Sequence, residues 1–296
     1  MTRQYGWIHN PKAVEATLRR LPMPIMRDAA PHLADSGKGK IALLHKAVVQ
    51  VVGRFPGYAP QEIGDCVSHG WRTIIDVLKC VEITMGEREQ WMAETATEPI
   101  YGGSRVQIGG GKIRGDGSIG AWAAEWVTKF GVLSRLVYGN VDLTQYSGSL
   151  AKSMGRKGCP ADLLSVAKEH PVKTASLVTT YEDARDAIAN GYPVAVCSNR
   201  GFASTRDSEG FAKPRGSWAH CMAFIAVDDA YKRPGLLCIN SWPLSWISGP
   251  TRHDQPAGSF WVDADVANKM LAAEDSFSVS GFVGYPSRDL PDYTEI

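Results

Sequence analysis

QEIGDCVSHGW, residues 61–71, is the stretch on which the reading of this chain turns. Two prolines and two glycines in FPGYAPQEIGD (55–65) break the chain just before Cys66. After it, Val67, Trp71, Ile74, Ile75 and Leu78 recur at helical spacing, which predicts a helix beginning at or near Cys66. A thiol in that position meets free backbone N–H groups and the positive end of the helix dipole. Both favour its ionised, nucleophilic form.

Upstream, the apolar residues of 41–52 fit a helix. Residues 1–45 combine a short amphipathic stretch, Ala13 to Leu21, with a Pro-rich polar passage ending in DSGKGK, and read as an extension wrapped on a body. Downstream, YGGSRVQIGGGKIRGDGS (101–118) reads as a glycine-rich loop leading into a second helix, IGAWAAEWVTKF, which Gly131 closes. A third helix, YEDARDAIAN, is stopped by Gly191. The β-rich runs 192–198, 218–229, 235–242 and 258–263 follow, separated by turn residues. Helices early and strands late predict an α+β architecture with two lobes.

Acyl transfer through a thiol needs an activated cysteine, an imidazole that takes and returns its proton, a group that orients the imidazole, and donors for the oxyanion. The chain offers Cys66, then His220 in a predicted strand, then Asn240 at the end of the next strand. This order, with its surroundings, resembles the papain (peptidase C1) family over about residues 55–285. QEIGDCVSHGW is similar to the family's glutamine, glycine and nucleophile segment. GDGSIGAWAAEWVTKFGV (115–132), followed by Tyr138, is similar to its substrate wall and second helix, and DARDAIANGYPVAV (183–196) to the passage into the second lobe. SWAHCMAFIAVDD (217–229) resembles the histidine strand, and CINSWPLSW (238–246) with GSFWV (258–262) the Asn-Ser-Trp segment and terminal strand.

The resemblance implies a papain-like two-lobed fold. Residues 1–45 would be an N-terminal extension and 46–296 the catalytic domain, with a helical left lobe at about 60–145 and an antiparallel, β-barrel-like right lobe at about 150–285. It implies Cys66 as nucleophile, His220 as base and acid, Asn240 as orienter and Gln61 as oxyanion donor. Trp242 would shield the Asn-His hydrogen bond, Gly117 and Ser118 would line the wall where a substrate backbone pairs, and Trp246 would stand on the leaving-group side. Several positions depart from the family pattern: Gln61 is one residue nearer the nucleophile, and Ile63, Val67, Ser118, Cys221 and Pro243 replace its usual residues. These changes leave every catalytic atom in place and point to a divergent member. Sixty-five residues precede Cys66, too few for the long inhibitory propeptide of secreted members, so control by pro-segment removal is not expected.

Other readings of single residues are weaker. His69, three positions after Cys66, is a rival base or half of a Cys-x-x-His metal site, but no paired spacing supplies further ligands. GGGK (109–112) lacks the Ser/Thr of a phosphate loop. Trp122 and Trp126, four apart, read as packing, and the cysteines other than Cys66 as core thiols.

Composition narrows the class further. Lys plus Arg (32) nearly balances Asp plus Glu (31), which removes the basic field that gathers nucleic acid. No segment reaches the roughly 18 consecutive apolar residues of a membrane span, and the start of the chain lacks the apolar core of a secretory signal. The six cysteines contain no C-x-x-C pair, against a zinc ribbon or a dense disulfide framework. The expectation is a cytoplasmic thiol peptidase or amidase acting on a peptide or protein, with no cofactor, metal, nucleic acid or membrane partner. Two alternatives stand beside it. One is an inactive papain-like structural or binding protein of a larger assembly, virion-associated if the chain comes from a phage. The other keeps the chemistry and directs it at wall crosslinks or isopeptide bonds.

Overall fold

The computed structural model describes residues 4–88 and 90–294. In chain order its elements are α1 (Pro11–Leu18), α2 (Met26–Ala29), β1 (Ile41–Leu43), α3 (Leu44–Val52), α4 (Cys66–Thr84), α5 (Thr97–Gly103), α6 (Gly120–Lys129), β2 (Val137–Tyr138), β3 (Val141–Asp142), α7 (Gly148–Lys157), α8 (Ala161–Ala167), β4 (Thr174–Leu177), α9 (Tyr181–Ala189), β5 (Val194–Arg206), β6 (Ala212–Asp228), β7 (Gly235–Ile239), β8 (Ser259–Asp263), α10 (Ala264–Leu271) and β9 (Phe277–Ser280). The architecture is α+β. One antiparallel sheet runs β4-β9-β5-β6-β7-β8, with β1 added along β6, and its far edge curls so that Trp261 on β8 bridges to Phe211 at the β5–β6 turn.

The helix predicted at Cys66 starts at that residue and is buried along nearly its whole length, because α4 runs through the core between the other helices and the sheet. Its glycine sets how closely it approaches β6. A Cβ on Gly70 would lie 2.8 Å from Cys221 Sγ and 3.0 Å from the Met222 carbonyl oxygen. Gly70 stands one turn beyond Cys66, and Cys221 is the neighbour of His220, so this contact bears on the spacing between Cys66 and the His220 strand. Gly70→Val is expected to lower stability by about 2–3 kcal/mol through overpacking, read as a fall in the urea midpoint. An unchanged midpoint would show that the contact relaxes freely.

Two local readings need correction. Residues 41–43 are not the first turn of a helix: they pair with Asp228, Val227 and Ala226 of β6, and α3 begins at Leu44. The first half of the expected glycine-rich loop is instead α5 followed by a π-helical turn at Ser104–Ile108. Its glycines serve close packing rather than chain reversal. A Cβ on Gly102 would meet Met154, and one on Gly103 would lie 2.2 Å from the Trp126 ring.

His45 on α3 is wholly buried, bonded through Nε2 to the His253 carbonyl at 2.9 Å, and burial lowers its pKa to about 4. The unfolded chain takes up this proton near its ordinary value of 6.5, so the contribution of His45 to stability is complete above that pH and is lost as pH falls toward 4. The difference corresponds to roughly 3 kcal/mol. His45→Gln is therefore expected to flatten the acid limb of the melting temperature over that window, and an acid limb of unchanged slope would refute it.

Candidate active site

Strand β6 carries His220, β7 ends one residue before Asn240, and α4 starts at Cys66; the sheet register and the α4–β6 contact bring these three together. The Cys221 N–H points at Cys66 Sγ at 3.4 Å, placing the sulfur against the strand beside His220. His220 Nε2 lies 2.8 Å from Asn240 Oδ1, which also accepts the Ser241 N–H at 2.7 Å. An oxygen bound this way can only accept, so Nε2 carries the imidazole proton. Nδ1 is left with a lone pair, buried and without a partner, able to take a proton. Trp242 lies over the imidazole, ring centroids 5.0 Å apart at 32°, and it contacts both Trp218 and Trp246.

Gln61 is next to this group but occupied. Its backbone N–H donates to the Ser241 carbonyl at 3.0 Å, its Oε1 accepts the Ser241 hydroxyl at 2.5 Å, and its Nε2 donates to the Ile63 carbonyl at 2.9 Å. His69 turns to the far side, with Nε2 3.4 Å from Asp65, whose carboxylate also accepts the Tyr146 hydroxyl at 2.9 Å. No group of three or more metal-ligating side chains occurs among the described residues. All six cysteines are free and buried.

The groove above Cys66 is filled by the chain itself. Ser118 N–H donates to the Gly6 carbonyl at 2.8 Å, and Ile8 N–H donates back to the Ser118 carbonyl at 2.9 Å. On the opposite wall, the N–H groups of Gly6 and Trp7 reach the Ala219 carbonyl at 3.2 and 3.1 Å. The Trp242 indole donates to the Gln4 carbonyl at 3.0 Å, and Tyr5 makes an edge contact with His220. Glycine is required at this crossing, since a Cβ on Gly6 would fall 1.9 Å from the Gly64 carbonyl oxygen.

The filled groove controls the electrostatics. Cys66 and His220 are both fully buried. Burial first, and Cys221 second, push the thiol well above its ordinary range; burial lowers the imidazole to about 4 against the opposing hydrogen bond from Asn240. In this state the pair is neutral thiol and neutral imidazole. The helix N-terminus favours the thiolate, but full burial of Cys66 opposes it and outweighs it.

Three further residues shape the groove, and local sequence patterns did not reveal them. The buried Arg105 donates to the carbonyls of Ile113 at 3.1 Å, Gly115 at 2.7 Å, Gly155 at 2.9 Å and Gly117, and so clamps the wall that carries Ser118. Trp7 is 2% exposed and donates its indole N–H to Asp275 Oδ2 at 2.7 Å. Burial pushes Asp275 up to about 7, opposed by the donors around it. Arg105 is one of two arginines in the glycine-rich run 101–118, and nothing local sets it apart from Arg114; the other two depend on long-range contact.

No family model matches the sequence, and no curated protein matches it. Solved structures do. Xylellain, a cysteine protease from Xylella fastidiosa, superposes with a TM-score of 0.55 at 15% identity, over 95% of this chain and 98% of that one. ProCathepsin B S9 from Trypanosoma congolense gives 0.52 at 13% identity, over 96% and 91%. The ragweed pollen cysteine protease Amb a 11, in its proform, gives 0.51 at 15% identity over 81% of this chain and 64% of that one. The fold is papain-like.

Proposed function

We propose that this chain is a papain-like cysteine peptidase whose groove is closed by its own residues 4–9. The observation that carries the reading is the relay of His220 Nε2 to Asn240 Oδ1 at 2.8 Å, which leaves Nδ1 unbonded on the strand whose next N–H, that of Cys221, meets the Cys66 sulfur at 3.4 Å. In the open groove, Cys66 Sγ attacks the carbonyl carbon of a peptide bond as its proton passes to His220 Nδ1. His220 then returns that proton to the departing amine, leaving a thioester on Cys66. Water, deprotonated by the same nitrogen, hydrolyses the thioester and restores the thiol. Asn240 holds the imidazole through Nε2, and Trp242 screens that bond. Gln61 serves the oxyanion once its Nε2 leaves the Ile63 carbonyl. Gly117 and Ser118 pair with the substrate backbone, as Ser118 pairs with Gly6 and Ile8, and Trp246 stands on the leaving-group side.

Two of the three similar structures are proforms, in line with a closed groove. The full burial of Cys66 also suits the second reading, a silent binding protein. Intact-mass alkylation with peptide mapping separates the two. In a chain with its groove opened, modification is expected first at Cys66 and to slow at least tenfold in His220→Ala, since the thiolate fraction falls about tenfold per unit of pKa. Slow labelling scattered over several cysteines would reject the peptidase reading.

A further inference from the structure

Asp275 lies at the bottom of the pocket that Trp7 fills. Two of its three hydrogen bonds belong to the fold: Gly120 N–H to Oδ2 at 2.8 Å and Ala121 N–H to Oδ1 at 2.7 Å, both from the first turn of α6. These fix the carboxylate in place. The third, from the Trp7 indole at 2.7 Å, belongs to whatever occupies the pocket. Asp275 is wholly buried, so an occupant without an N–H removes one of the two donors on Oδ2 and leaves it the Gly120 N–H alone, where water cannot easily supply the second. The space matches a large flat side chain, because the Trp7 ring is enclosed and its outer face is covered by the stacked His9 ring at 5.2 Å and 20°. Backbone pairing on both walls, at Ser118 and Ala219, is made by main-chain groups that any peptide carries.

We propose that the Trp7 pocket sets the specificity of the groove, and that Asp275 selects incoming peptides bearing a tryptophan side chain by accepting its indole N–H. The proposal rests on the groove being the peptide-binding site of the proposed peptidase. The chain's own Trp7 is then a resident copy of the side chain the groove accepts. A site built around a buried acceptor rejects an analogue lacking the matching donor more strongly than an apolar pocket rejects a change of shape.

The test uses the full chain carrying Cys66→Ala and Trp7→Ala, which empties the pocket and prevents turnover. Its ligands are acetylated, amidated peptides of residues 4–9 with tryptophan, 1-methyltryptophan, phenylalanine or lysine at the fourth position. Binding is measured by calorimetry at pH 8, where Asp275 is ionised. The tryptophan peptide is expected to bind about 30-fold tighter than its N-methyl and phenylalanine analogues, the loss that follows from removing one buried hydrogen bond to a charged acceptor. Asp275→Asn is expected to erase most of that preference. Equal binding of the tryptophan and N-methyl peptides, or tighter binding of the lysine peptide, would overturn the proposal. Should Trp7→Ala fail to fold, Trp7→Phe keeps the ring without the donor, and the tryptophan peptide must then displace its segment better than the phenylalanine peptide does. Hydrolysis is not needed for this measurement. Selective binding without turnover in the chain with native Cys66 overturns the peptidase reading alone, whereas turnover without tryptophan selectivity overturns this one alone.

Discussion

A chain that begins at Asn10 is expected to alkylate at Cys66 at least a hundredfold faster than the full chain at neutral pH. Residues 4–9 satisfy both groove walls, hold Trp242 and Asp275 through side-chain bonds, and leave neither Cys66 nor His220 in contact with solvent. Removing them returns water to the thiol and the imidazole. The thiol pKa then falls, the imidazole rises from about 4, and the two exchange a proton to become an ion pair. A change of two pKa units on the thiol alone gives roughly a hundredfold more thiolate, before any gain from access. Asn10 caps α1 through a bond from Ala13 N–H at 3.1 Å, so cutting before it leaves that helix intact. Equal labelling rates in the two chains, with melting curves confirming that both are folded, would show that the segment does not guard the sulfur.

In that shortened chain, Cys66→Ala is expected to lower peptide turnover by about 10⁴-fold or more, because the proposed thioester forms on its sulfur. His69 is engaged elsewhere, with Nε2 3.4 Å from Asp65 and its ring edge-on to Tyr146. Asn240→Ala is expected to cost less, on the order of 10–100-fold, since Trp242 still covers the imidazole while the bond that sets its tautomer is lost. Turnover that survives Cys66→Ala within tenfold would locate the chemistry elsewhere.

Much of this was legible in the sequence because it is local. The break before Cys66 and the glycine after α6 are short-range patterns that mark real element boundaries; the runs 192–198 and 218–229 find β5 and β6 but not their extent, since β5 runs on to Arg206 and β6 already starts at Ala212. What was not legible depends on contacts between distant residues. Nothing within QYGWIH says that Gly6 meets Ser118 and Ala219, or that Trp7 finds a carboxylate 268 positions away. The thiol was misjudged for the same reason: the helix terminus is visible in residues 61–71, but the burial that outweighs its effect comes from contacts outside them. The glycines of 101–118 misled because the same residue type serves a loop and a close helix crossing, and only Trp126 and Met154 decide between them.

The anchoring of the segment has a kinetic consequence. Just beyond it, Arg20 clasps Glu125 of α6 through Nε at 2.9 and 3.0 Å and through Nη2 at 2.6 Å. The segment is thus a tethered ligand held between Ile8 and Arg20 by a leash that is mostly the helix α1, at an effective concentration on the order of millimolar. A substrate in solution competes with that concentration and not with an intrinsic affinity, and every spontaneous opening is brief. Cutting the leash between Ile8 and Arg20 dilutes the occupant to the concentration of the protein itself. A modest affinity that holds the groove shut while tethered then fails to hold it after a single cleavage, and the closed state does not return.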